Sequence, residues 1–226
     1  MQDDPRHATG RVSVSLENGE PSYEIVANSA YDFIASEALP DVRPRLIYHG
    51  SLAVRNSASK EALGVLKSGT DASIFVDVNL RAPWWRRDST LELLMGANWV
   101  KLNRDELALL GDGCTDLLGA AQQFRDAQDL EGLVVTLGED GAIAVAANQE
   151  PVRISPPERI VKVVDAVGAG DAFASVIILG LRQGWPLATT LERAQDFASE
   201  LVQRQGATVS DRELYQSRCQ QWESTR

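Results

Sequence analysis

The feature that most constrains this chain is a repeated alternation of short apolar runs with longer segments that carry one apolar face. An apolar or alternating run of about 4–8 residues predicts a strand, and a hydrophobic period of 3.6 predicts an amphipathic helix. Strands alternating with helices favour a mostly parallel sheet covered on both faces, and therefore an α/β fold. The predicted strands are 45–50, 73–79, 99–103, 133–138, 142–147 and 160–165, and the predicted helices are 56–68, 89–96, 116–128, 171–183, 188–204 and 211–222.

Residues 11–26 have a different pattern. The run RVSVSL at 11–16 alternates polar and apolar residues, and SYEIV at 22–26 is a second short run. The intervening residues 17–20, ENGE, have the chemistry of a turn, so this stretch predicts a β-hairpin. We interpret 1–30 as a separate segment ahead of an α/β domain that covers 31–226.

Charge and composition argue against several classes of protein. The 226 residues include 22 Lys and Arg against 32 Asp and Glu, a net charge of −10, which argues against a nucleic-acid partner. No apolar run approaches the ~20 residues of a membrane helix, and the polar first ten residues are unlike a secretory leader. The two cysteines, Cys114 and Cys219, and the two histidines, His7 and His49, have no metal-ligand spacing. We therefore expect an acidic cytoplasmic protein with reduced thiols and no membrane partner.

The segment 164–173, VDAVGAGDAF, lies between a β-branched run and the apolar face of a predicted helix. Its glycines, Gly168 and Gly170, would stand at the helix N-terminus, where free amides and the helix dipole favour an anion. Asp171 follows them at the start of the helix. A carboxylate in that position can accept a proton from a hydroxyl that attacks a phosphoryl group held by the amides.

The alternative for this segment is a tight strand-to-helix turn in which Asp171 is only the N-cap. Two other phosphate-binding patterns are excluded by the sequence. The third glycine of a dinucleotide fingerprint would fall at Phe173, and the chain has no G-x-x-x-x-G-K-[ST] run.

The run DAVGAGDAF at 165–173 resembles the signature D-T-x-G-A-G-D of the ribokinase-like (PfkB) carbohydrate kinases, with Ala166 in place of the more common threonine. Four further runs occur in that family's order: YHGSL (48–52), DVNLR with a following WW (77–85), NRDE (103–106) and TLGEDG (136–141). Five ordered motifs over nearly the whole chain are far more specific than one. The resemblance implies a ribokinase-like three-layer sandwich in which the 11–26 hairpin is the remnant of a β-lid.

The family reaction transfers the γ-phosphoryl group of ATP to a sugar hydroxyl. The resemblance implies that Asp171 is the general base and also contacts the sugar. It further implies that the backbone of Gly168, Ala169 and Gly170 stabilises the charge that develops on the phosphoryl group.

The remaining roles are implied by the resemblance in the same way. Glu106 would hold Mg²⁺ through water, which suits an ion that keeps most of its hydration shell. Arg81 would meet an oxygen of the sugar or of a phosphate. The implied cofactors are ATP and Mg²⁺, with a monovalent cation left open. The implied nucleotide-binding residues are Asn103, Thr136, Gly138, Gly141 and Asp165.

Several of these residues have a structural alternative. Asn103 and Glu106 have the spacing of a capping box, which stabilises a helix whether or not a metal binds. Residues 136–141 also fit an ordinary turn between strands, and Arg81 fits a solvated loop arginine. His49 is expected to be a strand-end histidine packed beneath the site, because the chain has no G-x-S-x-G turn for a hydrolase triad.

The resemblance predicts a sugar kinase of the fructokinase or 2-keto-3-deoxygluconate kinase type. The family's amino-terminal strand and G-G-x-x-x-N sugar-binding segment have no equivalent ahead of Asp3. We therefore expect an incomplete sugar site and impaired activity. The alternative is a non-catalytic nucleotide-binding or regulatory remnant of such a kinase. Association into a homodimer is left open.

Overall fold

The computed structural model of the chain describes residues 2–17, 20–113, 116–156 and 162–224. The chain divides into two compact units. Unit 1 comprises Met1–Gly138 with Ile143–Val152, and unit 2 comprises Glu139–Ala142 with Arg153–Arg226. Within the described ranges, no helix combines the length and the apolar character that crossing a bilayer demands.

The described elements include most of the predicted strands and helices, together with a short strand at 152–154 that no pattern in the sequence predicted. The strands are β1 (Val12–Glu17), β2 (Glu20–Ile25), β3 (Leu46–Gly50), β4 (Ser73–Asp77), β5 (Trp99–Asn103), β6 (Gly132–Thr136), β7 (Ala142–Ala146) and β8 (Val152–Ile154). The helices are α1 (Ser57–Ser68), α2 (Arg87–Leu94), α3 (Arg104–Leu110), α4 (Leu117–Ala127), α5 (Ala169–Gln183), α6 (Leu187–Leu201) and α7 (Arg212–Ser224).

Strands β3 to β8 form one six-stranded sheet in chain order. The β3–β4, β4–β5 and β5–β6 pairs are all parallel. These pairs confirm the predicted α/β fold with a mostly parallel sheet. Parallel pairing also brings the carboxyl ends of neighbouring strands to the same edge, because all the strands run in one direction. Gly50 pairs with Asp77 there, and Asn103 pairs with Thr136.

The core of unit 1 lies around the central strands. Val100 and Leu133 are wholly buried on one face, and Phe75 and Val134 are buried as well, so the strands are covered on both faces. Continuous apolar strands of this kind are typical of parallel sheets. Helices α3 and α4 contribute to the larger buried cluster with Leu107, Leu110, Ala121 and Phe124.

The two strands of the predicted hairpin are present in unit 1, and residues 18 and 19 of its predicted turn lie outside the described residues. Strands β1 and β2 pair antiparallel in a two-stranded sheet of their own, and Val12 is opposite Ile25. The Val26 amide donates to the Arg11 carbonyl at 3.1 Å, which extends the pairing beyond the last strand residue. The boundary predicted at residue 30 stays a prediction.

The strand predicted at 160–165 is the main error in the predicted elements. Residues 160 and 161 lie outside the described residues, and 162–165 do not form a strand. The amides of Val164 and Asp165 both donate to the carbonyl of Val202, at 2.8 and 3.1 Å. Val202 directly follows α6 and is not part of a strand, so these two hydrogen bonds do not belong to a sheet ladder. The β-branched run therefore serves as an anchored loop.

Unit 2 is built around the packed pair α5 and α6. A Cβ atom on Gly180 of α5 would lie 2.4 Å from Cγ2 of Thr190, so glycine permits the close approach of the two helices. Helix α7 is held by Trp222, whose carbonyl accepts from Nη2 of Arg193 in α6 at 3.1 Å. The rings of Trp185 and Phe197 contact Trp222 edge-on.

Candidate active site

The strand-exit residues of unit 1 form the first part of the candidate site. Asn103 ends β5 and is the N-cap of α3, with its side-chain oxygen accepting from the Glu106 amide at 2.8 Å. The Glu106 carboxylate accepts from the Asn103 amide at 2.9 Å, so the predicted capping box is present. The other oxygen of Glu106 accepts from the Leu80 amide at 2.9 Å. This last contact ties the NRDE motif to the DVNLR motif.

Glu106 is 5% exposed, and burial raises the pKa of its carboxyl above the ordinary value of a glutamate. The Asn103 and Leu80 amides and the positive charge of Lys101 act in the opposite direction. A carboxylate has about four lone-pair positions, so both oxygens can accept a further hydrogen bond from a metal-bound water. The capping role and the proposed Mg²⁺ role are therefore compatible.

A buried ion pair beside Glu106 was missed by the sequence reasoning. Lys101 in β5 lies with Nζ 2.6 Å from Oδ1 of Asp77, and both side chains are about nine-tenths buried. Tyr48 of β3 donates from its hydroxyl to the other carboxylate oxygen of Asp77 at 3.3 Å. The available signal was a lysine within the otherwise apolar run WVKLN. A buried charge of this kind requires a partner.

Arg81 lies on the exposed turn that follows β4. Nη1 of its guanidinium lies 3.5 Å from the carbonyl oxygen of the preceding residue, Leu80. The turn itself is fixed: Trp84 donates its amide to the Arg81 carbonyl at 2.8 Å, and the Ser51 hydroxyl donates to the Asn79 carbonyl at 3.1 Å. A fixed backbone carrying an exposed guanidinium suits the binding of a ligand oxygen.

The predicted nucleotide turn at 136–141 has two distinct parts. Thr136 ends β6 in unit 1, and Gly138 adopts a positive φ of 63°. Gly141, in unit 2, has a φ of 91°, and a Cβ atom there would lie 2.2 Å from the Ile154 carbonyl oxygen. Gly141 is therefore required by the local backbone, as the structural alternative predicts. Its nucleotide role stays a prediction.

The loop at 165–168 in unit 2 is braced by Asp165. One carboxylate oxygen accepts from the Val167 amide at 2.9 Å, and the other accepts from the Gly206 amide at 3.0 Å. These two hydrogen bonds lower the pKa of Asp165 below its ordinary value. Asp165 thus holds two loops together, a structural role that does not conflict with its predicted part in nucleotide binding.

The N-terminus of α5 is capped by Gly168, which has a φ of 86°, and not by Asp171. The alternative in which Asp171 is an N-cap is therefore wrong. Asp171 is the third residue of the helix, and its side chain is exposed. The Ala169 amide donates to the Ala166 carbonyl at 3.3 Å, while the next amides, of Gly170 and Asp171, lie in the first helical turn, where no intrahelical acceptor exists. The arrangement places an accessible carboxylate beside backbone amides that have no intrahelical acceptor.

Replacing Gly168 by Ala is expected to lower the free energy of unfolding more than replacing Gly184, the C-cap of the same helix. Both glycines have a left-handed backbone conformation, in which an L-residue costs about 1–2 kcal/mol of stability. A Cβ on Gly168 would also lie 2.6 Å from the Ala207 carbonyl oxygen, whereas one on Gly184 meets no atom within 4 Å. Overpacking adds about 1–3 kcal/mol. Denaturant titration of both variants measures the difference, and equal losses would contradict the close contact.

His49 packs within the fold of unit 1, as predicted. Its Nδ1 lies 3.1 Å from the Gly50 carbonyl oxygen, and its Nε2 is buried with no hydrogen-bond partner among the described residues. Burial lowers the pKa of His49 below its ordinary value. The neutral imidazole is consequently the favoured form in the folded chain.

Acidification from about pH 7.5 to about 5.5 is expected to destabilise the native chain more than the His49→Gln variant. Because the folded-state pKa is lowered, the unfolded chain binds the extra proton first, and stability is lost as the pH falls below about 6.5. Glutamine stays neutral over the whole range. Denaturant titrations of both proteins at several pH values measure this difference, and parallel losses of stability would refute it.

The mostly parallel six-stranded sheet and the separate antiparallel hairpin are the fold that the ribokinase-like resemblance implies. The chain belongs to the pfkB family of carbohydrate kinases, whose pattern matches residues 6–213. This membership confirms the predicted family and fold class. The individual roles assigned to the site residues stay predictions.

Two curated relatives illustrate the similarity. The aminoimidazole riboside kinase of Salmonella typhimurium is 28% identical over 208 residues, which cover 85% of this chain and 64% of the relative. Fructokinase-2 of Zea mays is 27% identical over 191 residues, which cover 78% of this chain and 56% of the relative. The chain thus spans a little over half to just under two-thirds of the length of these curated relatives.

Solved structures resemble the chain over most of its length. The aminoimidazole riboside kinase of Salmonella enterica, in complex with aminoimidazole riboside and an ATP analogue, has a TM-score of 0.72 and 25% identity. It matches 91% of this chain and 71% of its own. A fructokinase double mutant of Vibrio cholerae, bound to fructose, ADP and potassium, has a TM-score of 0.75 and 24% identity over 94% of this chain and 74% of its own.

Proposed function

We propose that this chain is an ATP-dependent sugar kinase of the fructokinase or 2-keto-3-deoxygluconate kinase type. The observation that carries the proposal is the position of Asp171, an exposed carboxylate in the first turn of α5 behind a left-handed Gly168 cap. A carboxylate there can act on a hydroxyl, while the adjoining amides attract an anion. Membership of a carbohydrate kinase family and the named substrates of the similar structures support this choice.

In the proposed reaction, Asp171 accepts the proton of a sugar hydroxyl as that oxygen forms a bond to the γ-phosphorus of ATP. The bond from the γ-phosphorus to the β,γ-bridging oxygen breaks, and its electron pair leaves with ADP. The backbone of Gly168, Ala169 and Gly170 and the positive end of the α5 dipole stabilise the negative charge on the transferring group. A positioned general base of this kind contributes about 10²–10⁴-fold to the rate.

The other site residues position the two substrates. Glu106 would hold Mg²⁺ through water, and the ion would neutralise phosphate charge when bound. This donor fits Mg²⁺ because the ion is satisfied by one or two carboxylates. Among the described residues there is no cluster of three or more His, Cys, Asp or Glu that would form a complete protein cage. Arg81, together with Asp171, would contact the sugar, and the nucleotide would meet Asn103, Thr136, Gly138, Gly141 and Asp165.

The substrates proposed are small molecules, so the proposal involves neither nucleic acid nor a membrane. ATP and Mg²⁺ are plentiful in the cytoplasm, where we propose that the protein acts. The potassium ion in the similar fructokinase structure leaves open that a monovalent cation is an additional cofactor. The proposed reaction is compatible with a homodimer as well as with a monomer.

A substrate panel tests the proposed function. ADP formation from ATP–Mg²⁺ is measured with fructose, 2-keto-3-deoxygluconate, ribose and aminoimidazole riboside, with binding of ATP–Mg²⁺ measured in parallel. We expect phosphorylation of fructose or 2-keto-3-deoxygluconate to exceed that of the other two. Nucleotide binding without turnover on any sugar would instead support the non-catalytic remnant.

A further inference from the structure

A buried arginine in unit 1 lies between the segment that follows the hairpin and the turn that carries Arg81, a residue that the proposed function places at the sugar. Arg55 forms a two-pronged ion pair with Asp32: Nε is 2.7 Å from Oδ1, and Nη2 is 2.7 Å from Oδ2. The two side chains are only 6% and 2% exposed. Bidentate pairing of this kind fixes the plane of the guanidinium.

Arg55 also contacts the segment in which the hairpin ends. Its Nη2 donates to the carbonyl of Val26 at 2.9 Å and approaches the hydroxyl of Tyr31 at 3.2 Å. Val26 is the residue that extends the β1–β2 pairing through the Arg11 carbonyl. One guanidinium therefore fixes both the exit of the hairpin and the turn that follows it.

Arg55 also contacts the turn that carries Arg81. Its Cζ lies 4.4 Å from the ring centroid of Trp84, a cation–π distance. Its remaining terminal nitrogen, Nη1, is buried with no hydrogen-bond partner among the described residues, so the electron-rich ring is the favourable neighbour for the guanidinium. Trp84 in turn donates its amide to the Arg81 carbonyl at 2.8 Å.

We propose that Arg55 is a positioning residue that couples the order of the hairpin exit, 26–32, to the order of the Arg81 turn, 79–84. A ligand that Arg81 binds would then stabilise the hairpin exit as well, because coupling between two segments acts in both directions. This proposal rests on the proposed function for the sugar role of Arg81. The coupling itself depends only on contacts within unit 1.

The variant that tests the coupling must leave the buried Arg55–Asp32 ion pair intact. Removing Arg55 leaves Asp32 buried and unpaired, so that variant alone would confuse coupling with misfolding. Trp84 is the better target because it is 37% exposed and lies outside the ion pair. Trp84→Leu removes the cation–π contact and leaves the Arg55–Asp32 pair in place, while Trp84→Phe retains an aromatic ring.

Hydrogen–deuterium exchange of the full chain tests the coupling without reference to activity. We expect amides of 26–32 to exchange about tenfold faster in Trp84→Leu, close to the effect of losing a partly desolvated cation–π contact. Trp84→Phe should restore most of the protection. The control is Lys60→Gln on α1, which breaks an exposed pair with Glu92 of α2 and should leave exchange at 26–32 unchanged. Faster exchange confined to 79–86 in Trp84→Leu would overturn the proposal.

Kinetics with the best substrate of the panel provide the second test. In Trp84→Leu we expect KM for the sugar to rise about fivefold to tenfold while kcat stays within about twofold, since binding and not the chemical step is affected. An unchanged KM alongside unchanged exchange at 26–32 would also overturn the coupling. If the native chain phosphorylates no sugar, the proposed function fails, and the exchange measurement still decides whether Arg55 couples the two segments.

Discussion

Replacing Asp171 by Asn is expected to lower kcat about a hundredfold or more while the affinity for ATP–Mg²⁺ changes by less than about threefold. Asparagine has nearly the shape of aspartate but cannot accept the hydroxyl proton. Asp171 is exposed and is not the N-cap of α5, so the exchange should leave the helix start intact. Nucleotide binding is expected to persist because none of the proposed nucleotide contacts comes from the Asp171 carboxylate. Steady-state kinetics and titration of the nucleotide measure the two quantities separately.

The matched control for Asp171 is Glu213→Gln. Glu213 is also an exposed acid in the first turn of a helix of unit 2, α7, so its replacement removes a similar favourable interaction with a helix dipole. Both variants should therefore lose similar, small amounts of stability. Only Asp171→Asn should lose turnover. Normal kcat in Asp171→Asn, in a preparation that phosphorylates a sugar, would remove Asp171 from the role of general base.

Replacing Glu106 by Gln is expected to raise the Mg²⁺ concentration needed for half-maximal rate about tenfold or more, with a smaller change in sugar KM. An amide carries no charge to hold a hydrated cation. It also has one acceptor oxygen where Glu106 offers two, so either the Leu80 or the Asn103 amide loses its acceptor. The variant should therefore be less stable as well, by about 1 kcal/mol or more.

The control for Glu106→Gln must remove a helix cap at a residue outside the candidate site. Asp116 is the N-cap of α4, and its side chain accepts from the Gly119 amide at 2.9 Å. Asp116→Ala is expected to cost about 1 kcal/mol of stability and to leave the Mg²⁺ curve unchanged. If Glu106→Gln behaves in the same way, Glu106 has only its capping role. Rates at a series of Mg²⁺ concentrations, with unfolding titrations of both variants, measure the contrast.

The local features of the site were readable from the sequence. The Asn103–Glu106 box spans three residues, so its hydrogen bonds follow from the helix start itself. The hairpin at 11–26 was likewise predicted from alternation and turn residues. The alternation of strands and helices predicted the mostly parallel sheet. Each of these depends on interactions between near neighbours or on a simple period.

Local pattern alone did not give the right structure where the same residue types are compatible with two local conformations. The β-branched run before Asp165 has the composition of a strand, but residues 162–165 form a loop that is held by the Val202 carbonyl. The helix predicted to begin at 171 begins at Ala169 with Gly168 as its N-cap, so the alternative in which Asp171 is the N-cap is wrong. In both places the distant segment 202–207 is close by: Val202 holds the loop, and a side chain at Gly168 would overlap Ala207.

By itself, then, the sequence determined the class of fold, the family and the identity of the residues at the strand exits. Only the tertiary structure decided their partners. Glu106 accepts from Leu80, Lys101 pairs with Asp77, and Arg55 pairs with Asp32, across 23 to 26 positions in the chain. The physical reason is that periodicity and capping act within a few residues. A contact across more than twenty depends on sheet register and on packing, which no local pattern specifies.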